Sequence, residues 1–265
     1  MVRAMIPKLL FLHVPKCGGS TFDRILAKNF EHMYPLIDGS YASIERLRTL
    51  SRTDLEQYSA FAGHFFFGVH ELFESPCTYV SFIRHPVQRV ISNYLYVFQS
   101  KAHYLRRFVC PEGKAPMPLT EFVGSDLSLA LENQTVLMFG NRGAYRPGFI
   151  EQFARDVQEG RAPHVRIPFH DNNWGELLDR AKKNIEAHFT CVGLTERFDA
   201  SLAVMQRLVP LSDVSHTIIN RTISKMPDAD LKAVEGIVLG RNKYDLALYE
   251  YCATRLTEQM ETCKQ

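Results

Sequence analysis

The sequence predicts a three-layer α/β/α fold around a central parallel sheet. Short β-branched or aromatic runs alternate along the chain with segments of helical periodicity, the pattern of strand–helix–strand units. Two of those runs, Leu9–Val14 and Cys77–Ile83, lead into helix openings marked by Gly18–Gly19 and by Pro86. No linker-like stretch interrupts the alternation, so residues 1–265 are expected to form one domain.

The first junction, Leu9–Phe22 (LLFLHVPKCGGSTF), organises the rest. It reads as an apolar strand, a tight turn holding Lys16 and Gly18–Gly19, and a helix opening at Ser20–Thr21. Backbone N–H groups at a helix N-terminus are unpaired and partly positive, and glycines let that backbone close around an anion. Lys16 adds a full charge, and Ser20 and Thr21 add hydroxyl donors. A Walker loop has its lysine after the glycines, and here Lys16 precedes them. An ordinary Gly-Gly turn with an exposed lysine is the competing reading.

Phe22, Ile25, Leu26, Phe30 and Met33 recur at helical spacing over residues 20–33, and Tyr34–Gly39 breaks that helix. Residues 43–57 read as helical and mostly solvated. Tyr58–Phe67 opens as a strand that ends at Gly63–His64, which places a histidine at the carboxyl edge, where open α/β sheets bind ligands. A histidine held by backbone groups in an aromatic cluster is the alternative, and His70 or Glu71 could take the same part. Cys77–Ile83 runs into Arg84-His85-Pro86, followed by an apolar stripe of Val87, Val90, Ile91, Tyr94, Leu95 and Phe98. Arg89, Ser92 and Asn93 lie off that stripe. Arg84 suits bidentate phosphate binding, with a surface ion pair as the alternative, and Ser92 follows nearly two turns into the helix.

Residues 110–118 form a loop. Pro118–Gly124 leads to a helix over Leu129–Phe139 containing Glu132, Asn133 and Gln134. Gly140–Gly148, with Arg142 and Arg146, is a further loop, Phe149–Gln158 a helix and Val165–Phe169 a short strand. Trp174–Ala187 is an amphipathic helix, Thr190–Leu194 a strand, and Thr195-Glu196-Arg197 opens a helix through Leu208. After the polar segment Ser212–Asp228 come helices around Leu231–Val238 and over Tyr244–Met260, the latter with Leu248, Tyr249, Cys252 and Leu256 on one face.

Composition narrows the function. Hydrophobic residues make up 46% of the chain, and 31 basic against 29 acidic residues give no clustered basic excess of the nucleic-acid-binding kind. The six cysteines are scattered without a CxxC pair, which fits a reducing compartment rather than a disulfide or metal framework. The first apolar run is short and bracketed by Pro7 and Pro15, and no later run approaches about 18 apolar residues. A soluble, cytoplasmic protein without a membrane span is expected.

If the first and third strands are parallel neighbours, the Lys16–Thr21 loop and the Arg84/Ser92 pair form two anion sites on one edge. A ligand with two separated phosphates would span them, and His64 would face the same crevice. A P-loop phosphoryl-transfer enzyme needs an aspartate at a strand end to hold Mg²⁺. The strands here end in Val14-Pro15, Gly63-His64, Arg84-His85 and Leu194-Thr195, with only Glu196 acidic nearby. A cationic site of this kind suits transfer of a group that carries little charge, such as sulfuryl.

HVPKCGGSTF resembles the 5′-phosphosulfate loop of sulfotransferases that use 3′-phosphoadenosine 5′-phosphosulfate (PAPS), and SFIRHPVQRVISNY resembles their 3′-phosphate motif. The variant is similar to the carbohydrate branch that includes the heparan sulfate 2-O- and 6-O-sulfotransferases and bacterial relatives. AGHFFFGVHELF, LENQTVLMFG, VGLTERFDASL and YDLALYEY resemble further blocks of that branch, so the likeness reaches from about residue 8 to about residue 252.

The resemblance implies a P-loop-NTPase-like fold and sulfuryl transfer from PAPS to a hydroxyl of a carbohydrate or glycosylated small molecule, with PAP as product and no metal. It implies that Lys16 holds the phosphosulfate, that Cys17, Gly18, Gly19, Ser20 and Thr21 bind the 5′-phosphate, that Arg84 and Ser92 bind the 3′-phosphate, and that His64 is the base. Cys17 stands where threonine is common, and His85 where aspartate is frequent. Many animal members carry a membrane anchor ahead of the first strand, and this chain begins almost at that strand, which favours a bacterial-type soluble enzyme. Two rivals remain. A Mg²⁺-dependent nucleotide or small-molecule kinase needs an acidic metal ligand, and a non-catalytic nucleotide-binding protein has no use for His64.

Overall fold

A computed structural model describes residues 7–38, 41–140, 173–217 and 228–263. The expected loop with Arg142 and Arg146, the helix at 149–158, the strand at 165–169 and most of the polar segment at 212–228 lie outside these residues.

Among the described residues four strands form the sheet: β1 (Lys8–His13), β2 (Ala60–Gly63), β3 (Cys77–Ile83) and β4 (Phe189–Leu194). Their order is β2-β1-β3-β4 and every pairing is parallel. The register sets Leu12 level with Gly63, His13 level with Phe82, and Ile83 level with Leu194. All four carboxyl ends therefore open on one edge. The chain leaves β1 toward β2 on one side and leaves β3 toward β4 on the other. The crevice between β1 and β3 is thus a topological switch point, where sheets of this kind bind ligands.

Eleven helices are described: α1 (Gly19–Asn29), α2 (Tyr41–Thr49), α3 (Arg52–Glu56), α4 (Pro86–Gln99), α5 (Arg106–Val109), α6 (Leu119–Gly124), α7 (Gln134–Gly140), α8 (Trp174–His188), α9 (Phe198–Leu208), α10 (Asp228–Arg241) and α11 (Lys243–Thr262). None is long and apolar enough to cross a membrane. Aromatic contacts show the three layers. On one face of the sheet Phe22 of α1 packs edge-on to Phe11 and Phe82, and Phe82 stacks on Phe198 of α9 at 4.5 Å. On the other, Phe189 stacks on Tyr79 and on Phe139 of α7, both at 4.9 Å. This is the α/β/α, P-loop-NTPase-like class that the sequence predicts.

Local differences have identifiable causes. The segment that breaks the first predicted helix runs along the outer edge of β2, where Met33 and Ile37 make isolated parallel bridges to Ala60 and Gly63. The helix expected over 129–139 is a 3-10 turn (Leu129–Leu131) followed by α7, interrupted at Asn133, whose φ is 43°. That break turns the Asn133 side-chain oxygen toward the backbone N–H groups of Tyr244 and Asp245, at 3.1 and 3.2 Å, in the first turn of α11.

Helix α4 is not amphipathic in the way its stripe suggests. Arg89, Ser92 and Asn93 are buried as well. A second core, including Val90, Leu119, Phe122 and Val238, covers the side of α4 that would otherwise face water. Arg89 is fully buried and reaches Asp245 at 3.3 Å, Asn242 Oδ1 at 3.1 Å, Gln134 Oε1 at 2.8 Å and the Ala130 carbonyl at 2.7 Å. Asp245 also accepts the N–H groups of Thr135 and Val136, at 3.1 and 2.8 Å, which caps α7. One ion pair thus joins three helices. Arg89→Met leaves Asp245 buried without its counter-charge, and urea unfolding of that variant is expected to show a loss of about 3–5 kcal/mol.

Candidate active site

The loop between β1 and α1 turns through two left-handed residues, Lys16 (φ 67°) and Gly18 (φ 79°). Gly18 caps α1 without a side-chain acceptor, and the first turn holds no acidic residue. The opening N–H groups therefore face outward with their partial charge uncompensated by side chains. Ser20 is exposed and Thr21 buried. Cys17 points inward: its Sγ contacts the Pro15 carbonyl at 3.6 Å, and burial pushes the thiol up to about 12. Only its backbone can meet a ligand.

Arg84 leaves the end of β3 beside this loop, its Nη1 3.5 Å from the Lys16 carbonyl. The Lys16 ammonium lies on the face of Tyr96 of α4, 3.9 Å from the ring centroid. Burial, and then repulsion from Arg84, lower its pKa to about 8. Neither cation has an acidic partner among the described residues. The acidic residue noted at the strand ends is used elsewhere: Glu196 accepts the His85 N–H at 2.9 Å, capping α4, and its other oxygen meets the Tyr249 hydroxyl at 3.4 Å. Thr195 donates to the Cys17 carbonyl (2.8 Å) and the Ile83 carbonyl (3.0 Å), tying the loop to the end of β3. Ser92 is buried on α4, and the adjacent Asn93 keeps a buried side-chain nitrogen without a partner among the described residues.

His64 follows β2 directly. An alanine at Gly63 would set its Cβ 2.2 Å from the Ile37 carbonyl, so only glycine allows the backbone approach that fixes this turn. The His64 N–H donates to that carbonyl at 2.7 Å. Its ring Nδ1 lies 2.8 Å from the His13 carbonyl. A carbonyl can only accept, so Nδ1 carries the proton and Nε2 keeps a free lone pair. Burial, then the neighbouring His13, push the His64 pKa down to about 4, so the ring is neutral at pH 7. His64 is thus held by backbone, as the alternative reading had it, yet in the tautomer of a proton acceptor. His70 is not equivalent. It packs with Phe67, Tyr79 and His188 near the amino ends of the strands, and Glu71 is exposed.

Several residues at this edge escape a reading of the sequence. His13, Asp23, Tyr96 and Thr195 are four. Asn133 and Gln134, from the helix expected over Leu129–Phe139, are occupied inside the fold by Tyr244, Asp245 and Arg89. An open cleft of about 670 Å³ lies instead over Lys101, His103, Tyr104, Arg106, Arg107, Cys110 and Glu112. It adjoins the loop: Tyr96 meets both Lys16 and the His103 ring (5.4 Å), and Lys16 contributes, after burial, to lowering the His103 pKa. The interleaved basic and aromatic run KAHYLRR is the signal that marks it in the sequence.

A family model described as "Sulfotransferase family" matches residues 3–251. The chain belongs to the sulfotransferase family. Among solved structures it is similar to the mouse sulfotransferase SULT7A1 complexed with PAP, at 12% identity and a TM-score of 0.36, covering 88% of this chain and 64% of that one. This sulfotransferase-family chain therefore spans less than two thirds of that neighbour's length. No curated protein matches it.

Proposed function

We propose that this chain transfers a sulfuryl group from PAPS to a hydroxyl of a carbohydrate or glycosylated small-molecule acceptor, with His64 as general base. The observation that carries the reading is the Lys16–Arg84 pair. Two partly buried cations without an acidic partner among the described residues face one crevice at the switch point, and an anionic ligand is what relieves both. The loop residues fit such a donor. Lys16, the backbone N–H groups of Cys17, Gly18, Gly19, Ser20 and Thr21, and the Ser20 and Thr21 hydroxyls would hold the 5′-phosphosulfate, and Arg84 and Ser92 the 3′-phosphate. When bound, PAPS supplies the sulfuryl group and departs as PAP.

The chain's own residues then have defined tasks. His64 Nε2 accepts the proton of the acceptor hydroxyl while the new O–S bond forms and the sulfur–phosphate oxygen bond breaks. Its Nδ1–H stays on the His13 carbonyl. Lys16 and the opening N–H groups of α1 balance the charge gathering on the departing phosphate. No task is assigned to a metal ion. The acceptor lies in the cleft over Lys101–Glu112, where Tyr104 offers a half-exposed ring to a sugar face and Arg107 offers donors to its oxygens.

Three outcomes follow from these assignments. Lys16 loses its proton above about pH 8 in the free protein, and an anion favours the charged form. Calorimetric titration with PAP is therefore expected to show affinity falling up to tenfold per pH unit above about 8, with Lys16→Met flattening that dependence. A flat profile in the unaltered protein would remove Lys16 from the donor site. Transfer from labelled PAPS to a glycan panel should drop roughly 10²–10⁴-fold in kcat for His64→Ala with PAP binding retained, and wild-type turnover in that variant would end the case for His64. Tyr104→Ala and Arg107→Ala are expected to raise acceptor KM about tenfold with kcat nearly unchanged, the pattern of lost ground-state binding; an unchanged KM would place the acceptor elsewhere.

A further inference from the structure

Behind His64 lies a second histidine that the roles above use only through its backbone. His13 is the last residue of β1, 8% exposed, and its ring packs against that of His64 with centroids 4.4 Å apart. Its Nδ1 lies 3.1 Å from Asp23 Oδ2 on α1. Its opposite edge, Nε2 and Cδ2, lies 2.1 Å from where a Cβ on Gly19 would sit, so the absence of a side chain at Gly19 is what admits the ring beneath the loop. The other Asp23 oxygen, Oδ1, is buried with no hydrogen-bond partner among the described residues. A carboxylate held away from water with one oxygen unused needs a reason to be charged rather than an amide.

We propose that Asp23, acting through His13, is a positioning pair for His64: it fixes the His64 ring and places a negative charge behind it that offsets the imidazolium formed when Nε2 takes the acceptor proton. This rests on the reading of His64 as the base. An asparagine at position 23 would accept the same Nδ1–H from His13, so the hydrogen bond alone does not call for aspartate. Charge is what only the carboxylate supplies. The charged or titratable groups around His64 are His13 on β1, which disfavours its protonation, and Asp23 on α1 and Asp38 after the bridge segment, which favour it.

Asp23→Asn is the discriminating variant because it keeps shape and hydrogen bonding and removes the charge. A unit charge one ring away at an effective dielectric of about 20 changes the proton-transfer step by roughly tenfold to a hundredfold. The expected result is a fall in kcat of that size, with PAP affinity and acceptor KM within about twofold of the parent. The independent readout is the ligand-free protein followed by histidine side-chain NMR. With the negative charge gone, His64 titrates at lower pH than in the parent, keeping the Nδ1–H tautomer. His13→Gln, which keeps the carbonyl to His64 and loses the ring, should lower kcat through lost positioning, with the His64 titration moving opposite to that in Asp23→Asn because the His13 ring disfavours His64 protonation. An unchanged His64 titration in Asp23→Asn, or kcat within twofold of the parent, overturns the proposal. Failure of His64 as base is distinguishable: it shows as retained turnover in His64→Ala, whereas the titration in the free protein does not depend on turnover.

Discussion

Two cations stand against one another across the ends of β1 and β3, and the surrounding structure holds them there against their repulsion. Burial first, and then Arg84, hold the Lys16 pKa below the ordinary lysine value. Three features resist the loop's escape. The Lys16 ammonium rests on Tyr96, a contact worth about 1–2 kcal/mol where water is partly excluded. Thr195 bridges the loop carbonyl of Cys17 and the strand carbonyl of Ile83. Helix α4, which carries Tyr96, is anchored at Arg89 by the buried pair with Asp245 and at its start by Glu196. Glu196, the acid near the strand ends, is spent on the cap of α4 rather than on either cation.

The parallel register makes this geometry possible. A shift of one residue between β1 and β3 would move His13 off the level of Phe82 and turn the Phe11 and Phe82 faces away from α1. The aromatic chain Phe11–Phe22–Phe82–Phe198 supports that register from one side of the sheet, and on the other the stack of Tyr79 on Phe189 ties β3 to β4. The glycines at the strand ends act by space. Gly63 lets Ile37 approach the backbone that precedes His64, and Gly19 lets the His13 ring lie under the loop. The core and the site are thus specified by the same few contacts.

What could be read from the sequence was local. Strand–turn–helix junctions have their signals within about a dozen residues, and both junctions lie where the periodicity puts them, as do β4, α8 and α11. His64 could be placed at a strand end, but not its tautomer, because the deciding partner is a carbonyl on another strand. Arg89 was read as off the apolar stripe because its partners, Asn242 and Asp245, are about 150 residues away along the chain. The inward roles of Asn133 and Gln134 are hidden for the same reason, since Tyr244, Asp245 and Arg89 are distant in sequence. The KAHYLRR run carries no periodicity, only chemistry, and its neighbour Lys16 is distant in sequence.

A base with a pKa near 4 is well suited to be unprotonated and poorly suited to accept a proton. Its neutrality at pH 7 comes from burial beside His13, and the same burial would penalise the imidazolium that the proposed transfer requires. The penalty has to be met at the moment of transfer by negative charge. Part of it arises on the departing phosphate, although Lys16 and the helix N-terminus are placed to draw that charge away from His64. The remainder must come from fixed charge on the far side of the ring. The carboxylate that holds His13 from α1 is in that position, and its unpartnered oxygen leaves its charge less neutralised by hydrogen bonding than a fully bonded carboxylate would be. In such a site the low resting pKa and the buried carboxylate are complementary. One keeps the base free before the acceptor arrives, and the other lets it hold the proton once it has taken it.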